Sequence, residues 1–300
     1  MNPKTNLFYF LIFLIIIVLM APQTILSQDQ LTLEVVPDQE KRSTIHEVDG
    51  YAYLSENMTL AETRKAAFAI AKRQALERAR TYIKSKSKVK EGVLEYDLIW
   101  ADAEGAVAIL EQKDHGVEDN KRYHVWIKAE VEYGLRPAGG KPKPTKIMAP
   151  EAPLTVKVWT PRKQYKQGEG ITIYIQGNRD FYARIVNINS EGNITQLLPN
   201  DYRDINLFEA GKLYRIPDSG DHFILEVNPP YGEEQVVVYA SEVPLGKVQT
   251  ESIGQGLRRY YGTRELLGSQ TRSISVVPRP GAISSGAEFY EATWDLNTGE

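Results

Sequence analysis

The chain has 300 residues, of which 42% are hydrophobic and 25% charged, and a net charge of −3 at neutral pH. This composition predicts folded, well-packed material, and the length favours two domains. The small net charge indicates no class of partner. The absence of cysteine excludes disulfides, thiolate metal sites, cysteine nucleophiles and a lipoprotein attachment cysteine.

The first 27 residues carry the pattern of an export signal. Lys4 precedes an unbroken apolar run from Leu7 to Met20, and the small residue Ser27 comes just before a polar stretch. We expect cleavage near Ser27. The alternative is that residues 1–27 remain as a membrane anchor, because counting on to Leu26 gives about 20 residues, enough to cross a bilayer. Both interpretations predict an exported protein, periplasmic or envelope-associated, with membrane contact only through an uncleaved N-terminal segment.

Residues 28–133 are predicted to form an α+β domain, in which a long helix packs on an antiparallel sheet. Thr59 and Glu62 have the spacing of a capping box, so the helix is expected to begin at Leu60. Apolar residues recur along it every three or four positions and form one stripe. The stripe consists of Phe68, Ala71, Ala75, Ala79 and Tyr82, with Leu76 and Ile83 on its flank.

The sheet is predicted from the strict alternation of apolar and polar residues between Tyr123 and Tyr133. Residues 106–112 are the expected antiparallel partner, and the loop between the two strands contains the turn former Gly116. A basic, alanine-rich helix followed by such a hairpin is similar to the N-terminal domain of the flagellar assembly protein FlgT and of related outer-membrane lipoproteins. The chain departs from the lipoprotein branch, because it lacks the attachment cysteine.

Residues 134–153 are predicted to be a linker, because they combine five prolines with several lysines and glycines and show almost no apolar periodicity. Proline donates no backbone hydrogen bond, so this segment is unsuited to a central strand. The domains on either side are therefore expected to be separable, with trypsin cleaving between Arg136 and Lys146.

Residues 154–277 are predicted to form an all-β sandwich. Residues 171–175 alternate between apolar and polar, as a half-buried strand does, whereas residues 181–188 are apolar on both faces, as in a central strand. A third strand is expected at residues 194–198. No element is predicted with clarity for residues 246–268, and residues 278–300 are expected to be a disordered tail.

The turn before the third strand has two interpretations. Asn187, Asn189 and Gly192 resemble the start of a calcium loop, in which oxygen ligands alternate and a glycine permits the sharp turn. The closing acid is missing, because Leu198 occupies the position where a bidentate glutamate would be required. A hairpin turn with Gly192 at positive φ is therefore the expected structure.

A series of aromatic, polar and turn residues between 165 and 245 carries a family resemblance. The series comprises Tyr165, Gly168, Glu169, Asp180, Phe181, Tyr182, Asn187, Asn189, Gly192, Leu197, Leu198, Pro199, Asn200, Gly211, Ile216, Pro217, Pro230, Tyr231, Gly232, Glu234, Ala240, Ser241, Pro244 and Leu245. In this order and spacing the residues resemble domain of unknown function 4384. That family has no established activity, and in other bacterial proteins it is joined to signalling, protease-like or envelope-assembly domains. The resemblance implies a cellular setting rather than a ligand.

The sequence contains no recognisable spacing of a nucleophile with a base, of paired carboxylates or of metal ligands, so an enzyme, a cofactor and a metal site are not expected. The four histidines, His46, His115, His124 and His222, show no His-Glu-x-x-His or His-x-His arrangement. They are interpreted as surface or strand histidines. Acids brought together from separated parts of the chain remain an open alternative.

Two groups of residues are candidates for an interaction surface. One group lies on the side of the predicted helix away from its apolar stripe and consists of Arg73, Arg80 and Lys84. From this side the three residues can contact an anionic polymer or lipid headgroups. A solvated face with intrahelical ion pairs is the simpler interpretation, and nucleic acid is not expected because no recognition motif accompanies the charge. The second group is Tyr202, Tyr260 and Tyr261, the tyrosines placed outside the predicted strands.

The sequence therefore favours an exported cell-envelope protein that acts as a non-enzymatic interaction or assembly module, with envelope proteins as its partners. The alternative is a module that binds glycan or another anionic polymer, such as cell-wall or surface polysaccharide, through the basic helix and exposed tyrosines.

Overall fold

A computed structural model describes residues 37–86, 96–100, 107–137, 148–272 and 286–300. The predicted signal segment at residues 1–27 lies outside this range. The described helices are α1 (Leu60–Lys86) and α2 (Arg264–Arg272). The described strands are β1 (Gln39–Tyr53), β2 (Tyr96–Trp100), β3 (Val107–Glu118), β4 (Arg122–Pro137), β5 (Val156–Trp159), β6 (Gln164–Lys166), β7 (Gly170–Ile171), β8 (Ile173–Gly177), β9 (Phe181–Ile188), β10 (Ile194–Leu198), β11 (Leu207–Phe208), β12 (Tyr214–Ile216), β13 (Leu225–Glu226), β14 (Gly232–Ser241), β15 (Glu251–Gly254), β16 (Leu257–Tyr260) and β17 (Ala287–Gly299).

The N-terminal part has the predicted α+β architecture. The capping box is confirmed, because the backbone N–H of Thr59 donates to Glu62 Oε2 (2.7 Å) and the N–H of Glu62 donates to Thr59 Oγ1 (3.2 Å). Helix α1 packs on the antiparallel strands β1, β3 and β4. None of the described helices is long and apolar enough to cross a bilayer.

Alanine brings helix α1 close to the sheet. Ala67, Ala71, Ala75 and Ala79 are fully buried, and a Cβ placed on Gly50 of β1 would lie 2.2 Å from the Ala67 carbonyl oxygen. Small residues on both sides therefore set the distance between the layers. The predicted stripe is confirmed at its alanines, at Leu76 and at Ile83, whereas Phe68 and Tyr82 lie at its edge and are only half-buried.

One large sheet runs through most of the fold. Its strand order is β15-β16-β10-β9-β14-β17-β1-β4-β2, and all neighbours along this path are antiparallel. A second sheet, β12-β8-β5, faces it. Side chains of both sheets, among them Val158, Ile175, Ile185 and Val238, share one buried core. The predicted β-sandwich is thus present, but its larger sheet continues into the α+β part.

The prediction of a disordered tail is wrong where the structure describes it, because β17 occupies residues 287–299. This strand pairs with β1 on one side and with β14 on the other. Phe289 and Tyr290 are buried to 3% and 1% exposure and take part in the core clusters on the two faces of the strand. Tyr290 and Trp294 stand apart from other apolar residues in the sequence, yet strands far away in the chain supply their neighbours.

The central position of β17 also changes the interpretation of the domains. Residues 36–300 form one compact unit. Strand β14 of the predicted sandwich at 154–277 has β17, from outside that range, as its neighbour in the large sheet. At the two ends of the predicted linker, β4 extends to Pro137 and residues 149–153 are held by the Asn178 side chain. Its Nδ2 donates to the carbonyl oxygens of Ala149, Ala152 and Pro153 at 3.0–3.2 Å.

Three elements in residues 246–272 were not predicted from the sequence. Strands β15 and β16 extend the large sheet beyond β10, and helix α2 covers the face of the sheet opposite the sandwich core through Leu267. Gly254 and Gly256, both at positive φ, allow the tight reversal between β15 and β16. Hairpin strands this short carry little periodicity from which to be predicted.

We expect a chain that ends at residue 285 to lose cooperative folding, because β1 and β14 would each lose a paired neighbour and the core would lose Phe289 and Tyr290. The measurement is thermal unfolding followed by circular dichroism. A chain that lacks only Glu300 is the matched control and should unfold like the full chain. A sharp, native-like transition in the shortened chain would contradict the central role of β17.

Candidate functional site

A cleft of about 820 Å³ opens at one end of the sandwich. Its floor is the core-facing side of the large sheet, formed by β9, β10, β14, β16 and the end of β17. One wall is the β7–β13 pair with the segment that follows it to Pro230, and another contains Tyr202. The cleft therefore continues the sandwich core toward solvent.

Polar side chains cross the floor in a row perpendicular to the strands. Strand register places Arg259 of β16 opposite Thr195 of β10, and Thr195 opposite Asn187 of β9. All three line the cleft, because facing residues of neighbouring strands project to the same side of a sheet. A guanidinium, a hydroxyl and a carboxamide thus follow one another along the floor.

The acidic end of the floor is Glu234, on β14, whose side chain is buried and hydrogen-bonded through both carboxylate oxygens. Its Oε1 accepts a hydrogen bond from Thr298 Oγ1 (2.7 Å) and its Oε2 accepts one from Asn187 Nδ2 (2.8 Å). Asn187 donates through its nitrogen, and its amide oxygen is the acceptor end of the carboxamide. The carboxylate is fixed in place and orients the carboxamide beside it.

Arg259 differs from Glu234, because it is half-buried and its charge is unpaired within the described ranges of the chain. Its Nε is shielded from solvent and has no hydrogen-bond partner among the described residues. Within the same part of the chain, its guanidinium forms no ion pair either, although Glu251 lies opposite it on β15 in register. Glu251 is exposed and solvated. Arg259 is therefore a cation of the floor that has no acidic partner among the described residues.

Apolar side chains form the rim of the cleft. Ile224 is 75% exposed and Ile253 is 41% exposed, and both line the opening. Tyr202, one of the residues predicted for interaction, is 50% exposed at the same opening. Its ring stacks on Phe223 with centroids 6.0 Å apart and also presses on the backbone of Gly256, where an added Cβ would lie 2.2 Å from the ring.

The other predicted interaction residues do not join Tyr202. Tyr260 is only 7% exposed and packs beneath α2 on the opposite face of the sheet, so its prediction as a surface residue is wrong. Tyr261 is 68% exposed but does not line the cleft. On α1, Arg73 and Lys84 are exposed, whereas Arg80 is paired with Glu77 at 3.2 Å.

A second group of charged residues lies where α1 meets the sandwich. Arg179 Nη1 contacts Glu242 Oε1 at 2.7 Å and Glu288 Oε1 at 3.2 Å, and Glu288 also accepts the backbone N–H of Leu154. Burial, with the neighbouring Glu242, raises the pKa of Glu288 above its usual value. Tyr82 of α1 donates to Glu242. Each polar group here has a partner, so the cluster fastens α1 and β17 to the sandwich.

His124 is held between two carboxylates. His124 lies between Glu118, 2.5 Å from Nδ1, and Asp49, 2.8 Å from Nε2, and it stacks on Tyr51. Burial disfavours the charged ring, but the two carboxylates outweigh this effect and raise the pKa of His124.

In the described part of the chain, no group of three or more His, Asp and Glu residues could hold a metal ion.

The floor residues were missed because they come from separated strands. Asn187 and Glu234 had been interpreted as family and turn residues, and Arg259 lies in a segment without a predicted element. The signal in the sequence was weak, because Asn187 shares its strand with a second polar residue, Arg184, which is buried. Gly192 has φ +79°, which confirms the hairpin turn that was expected there.

Comparison with known protein families supports the resemblance found in the sequence. Residues 164–244 match the model described as "Domain of unknown function (DUF4384)". No curated protein matches the chain. The matched region contains Asn187, Thr195 and Glu234, whereas Arg259 and Thr298 come from outside it. The cleft is therefore completed by parts of this chain that the family model does not cover.

His46 and His124 should show widely different pKa values in an NMR titration that follows their imidazole C2 protons. Burial, with the nearby Arg78, lowers the pKa of His46 to about 4, whereas the pKa of His124 lies above the usual value of about 6.5. His46 thus contributes stability above pH 6.5 that is lost as the pH falls toward 4. His124 contributes stability below pH 6.5 that is lost as the pH rises through its folded pKa.

His46→Gln and His124→Gln variants assign the two resonances. Coincident titration of both rings near pH 6.5 would contradict the described environments.

Proposed function

We propose that the chain is a non-enzymatic interaction module that binds an extended segment of a partner protein in the cleft. The observation that supports this most strongly is the combination of an exposed apolar rim with a hydrogen-bonding floor. Ile224 and Ile253 gain by burial under an apolar side chain, while Thr195 and Asn187 offer polar groups to a backbone. A peptide presents both kinds of group in alternation.

The geometry favours a peptide over a glycan, which was the alternative from the sequence. A sugar ring needs the open face of an aromatic side chain to stack on. Tyr202 is the aromatic candidate at the opening, and its ring is already occupied by Phe223 and by the backbone of Gly256. The exposed isoleucines of the rim offer a sugar little, because they carry no polar group.

The non-enzymatic part of the proposal rests on the engagement of Glu234. Each oxygen of Glu234 accepts a hydrogen bond from a protein side chain, Asn187 Nδ2 or Thr298 Oγ1, so the carboxylate is held facing these two residues. Its geometry is that of a positioning group for Asn187.

Binding of an anionic polymer is the second candidate function. Arg73 and Lys84 are exposed on α1 and make no ion pair with the described residues. Cosedimentation of the full chain with isolated wall polysaccharide, compared with an Arg73→Gln/Lys84→Gln variant, distinguishes this function from binding in the cleft.

The cleft proposal is tested by selecting short random linear peptides on the full chain and measuring their affinity by fluorescence polarisation. Ile224→Asp should weaken the selected peptides by about 1–2 kcal/mol, because an apolar contact at the rim is lost and a charge is placed there. Ile205→Asp is the matched control, since Ile205 is 67% exposed but outside the cleft. Equal loss in both variants, or no peptide selected by the wild type, would contradict the proposal.

We further propose that this module works in the cell envelope after export, and that its N-terminal part is related to the FlgT N-terminal domain. The support is the apolar run that follows Lys4 and the order of capped helix and hairpin. The chain expressed in a Gram-negative host should appear in the periplasmic or envelope fraction and begin near Gln28 by N-terminal sequencing. An intact Met1 in the membrane fraction would support the anchored alternative, and cytoplasmic material would contradict export.

A further inference from the structure

We propose that Arg259 is the receptor for a carboxylate of the bound segment, so that the cleft selects peptides in which an acidic group is flanked by apolar residues. This inference rests on the proposed peptide binding and specifies the chemistry of the ligand. The carboxylate belongs either to an Asp or Glu side chain or to the C-terminus of the segment.

The unused bonding capacity of Arg259 supports the inference. A buried polar group without a partner destabilises the fold, and a guanidinium does so more than a neutral group. The Nε of Arg259 is inaccessible to solvent and has no partner in the described part of the chain. Because this Nε is shielded, a carboxylate in the cleft binds at the terminal Nη groups of the half-buried guanidinium, which offer it two parallel N–H bonds.

The position of Arg259 in the floor excludes Glu234 as its natural partner. Strands β10 and β9 lie between β16 and β14, so three strand spacings, roughly 14 Å, separate the two side chains. Over this distance the two charges do not form an ion pair. Thr195, directly beside Arg259, provides a hydroxyl for the second oxygen of the incoming carboxylate.

The acids at the opening do not favour a basic ligand instead. Glu191 is exposed and bonded to Asn193 Nδ2 at 3.1 Å, and Glu226 is exposed. Both are solvated and need no counter-ion, whereas the charge of Arg259 is half-buried. Glu251, opposite Arg259 on β15, is exposed and forms no ion pair with it. The group in the cleft that gains most from an ion pair is therefore the arginine.

The experiment uses the full chain and pools of short N-acetylated peptides with apolar, Ser and Thr residues around one fixed position. That position is Asp, Asn or Lys, and each pool is made with an amidated and with a free C-terminus. We expect the wild type to bind the Asp pool, the free-carboxyl pool or both at least about tenfold more tightly than the amidated Asn pool. Comparison of the amidated Asp pool with the free-carboxyl Asn pool identifies the source of the carboxylate.

Arg259→Gln should reduce this advantage to within about twofold, and Arg259→Lys should leave an intermediate value, because lysine keeps the charge but loses the planar fork. Arg215→Gln is the control, since Arg215 is exposed on β12 outside the cleft and carries the same charge. Thermal unfolding of each variant verifies that it folds.

The outcomes separate the two levels of the proposal. Peptide binding without acid preference, preference for the Lys pool, or an acid preference that persists in Arg259→Gln overturns the role of Arg259 and leaves peptide binding intact. If no pool binds the wild type, both proposals fail. Polygalacturonate serves as a further probe: if it binds in an Arg259-dependent manner while the peptides do not, the ligand is an acidic glycan and the peptide assignment is wrong.

Discussion

The pairing of β17 with β14 and β1 is the constraint on which the rest of the structure depends. Within the large sheet, this strand joins the strands that carry α1 to the strands of the sandwich, and its charged side chains bind the surrounding elements. Glu288 binds Arg179 and the Leu154 backbone, while Glu291 accepts from Arg264 and Arg272 of α2. These charges are partnered within the fold, whereas Arg259 forms no ion pair with the described residues.

Local patterns predicted the local structure well. The capping box at Thr59 and Glu62, the alternation between Tyr123 and Tyr133 and the turn at Gly192 each specify backbone geometry over a few residues, and the structure has these elements at the expected places. Prediction failed at β17 because its burial comes from partners far away in the sequence. A strand flanked on both sides is stabilised by neighbours that its own sequence does not reveal.

The site was less accessible from the sequence than the fold. Tyr202 was found because an aromatic residue outside the predicted strands is conspicuous, but Tyr260, chosen for the same reason, is buried beneath α2. Arg259, Thr195 and Asn187 form a row only through the register of three strands, and no spacing along the chain encodes that row. A cleft assembled across strands requires the topology before its chemistry can be recognised.

The position of β17 in chain order also governs when the fold can form. Asp38, just before β1, receives a hydrogen bond from Asp295, 257 residues later, so the contacts that join the two halves close a very long loop. Until β17 is synthesised, β1 and β14 each expose an unpaired strand edge, and such edges invite pairing with other chains. These two edges are therefore where the incomplete chain is most prone to pair with other chains, and its folding should be slow compared with that of proteins built from local contacts.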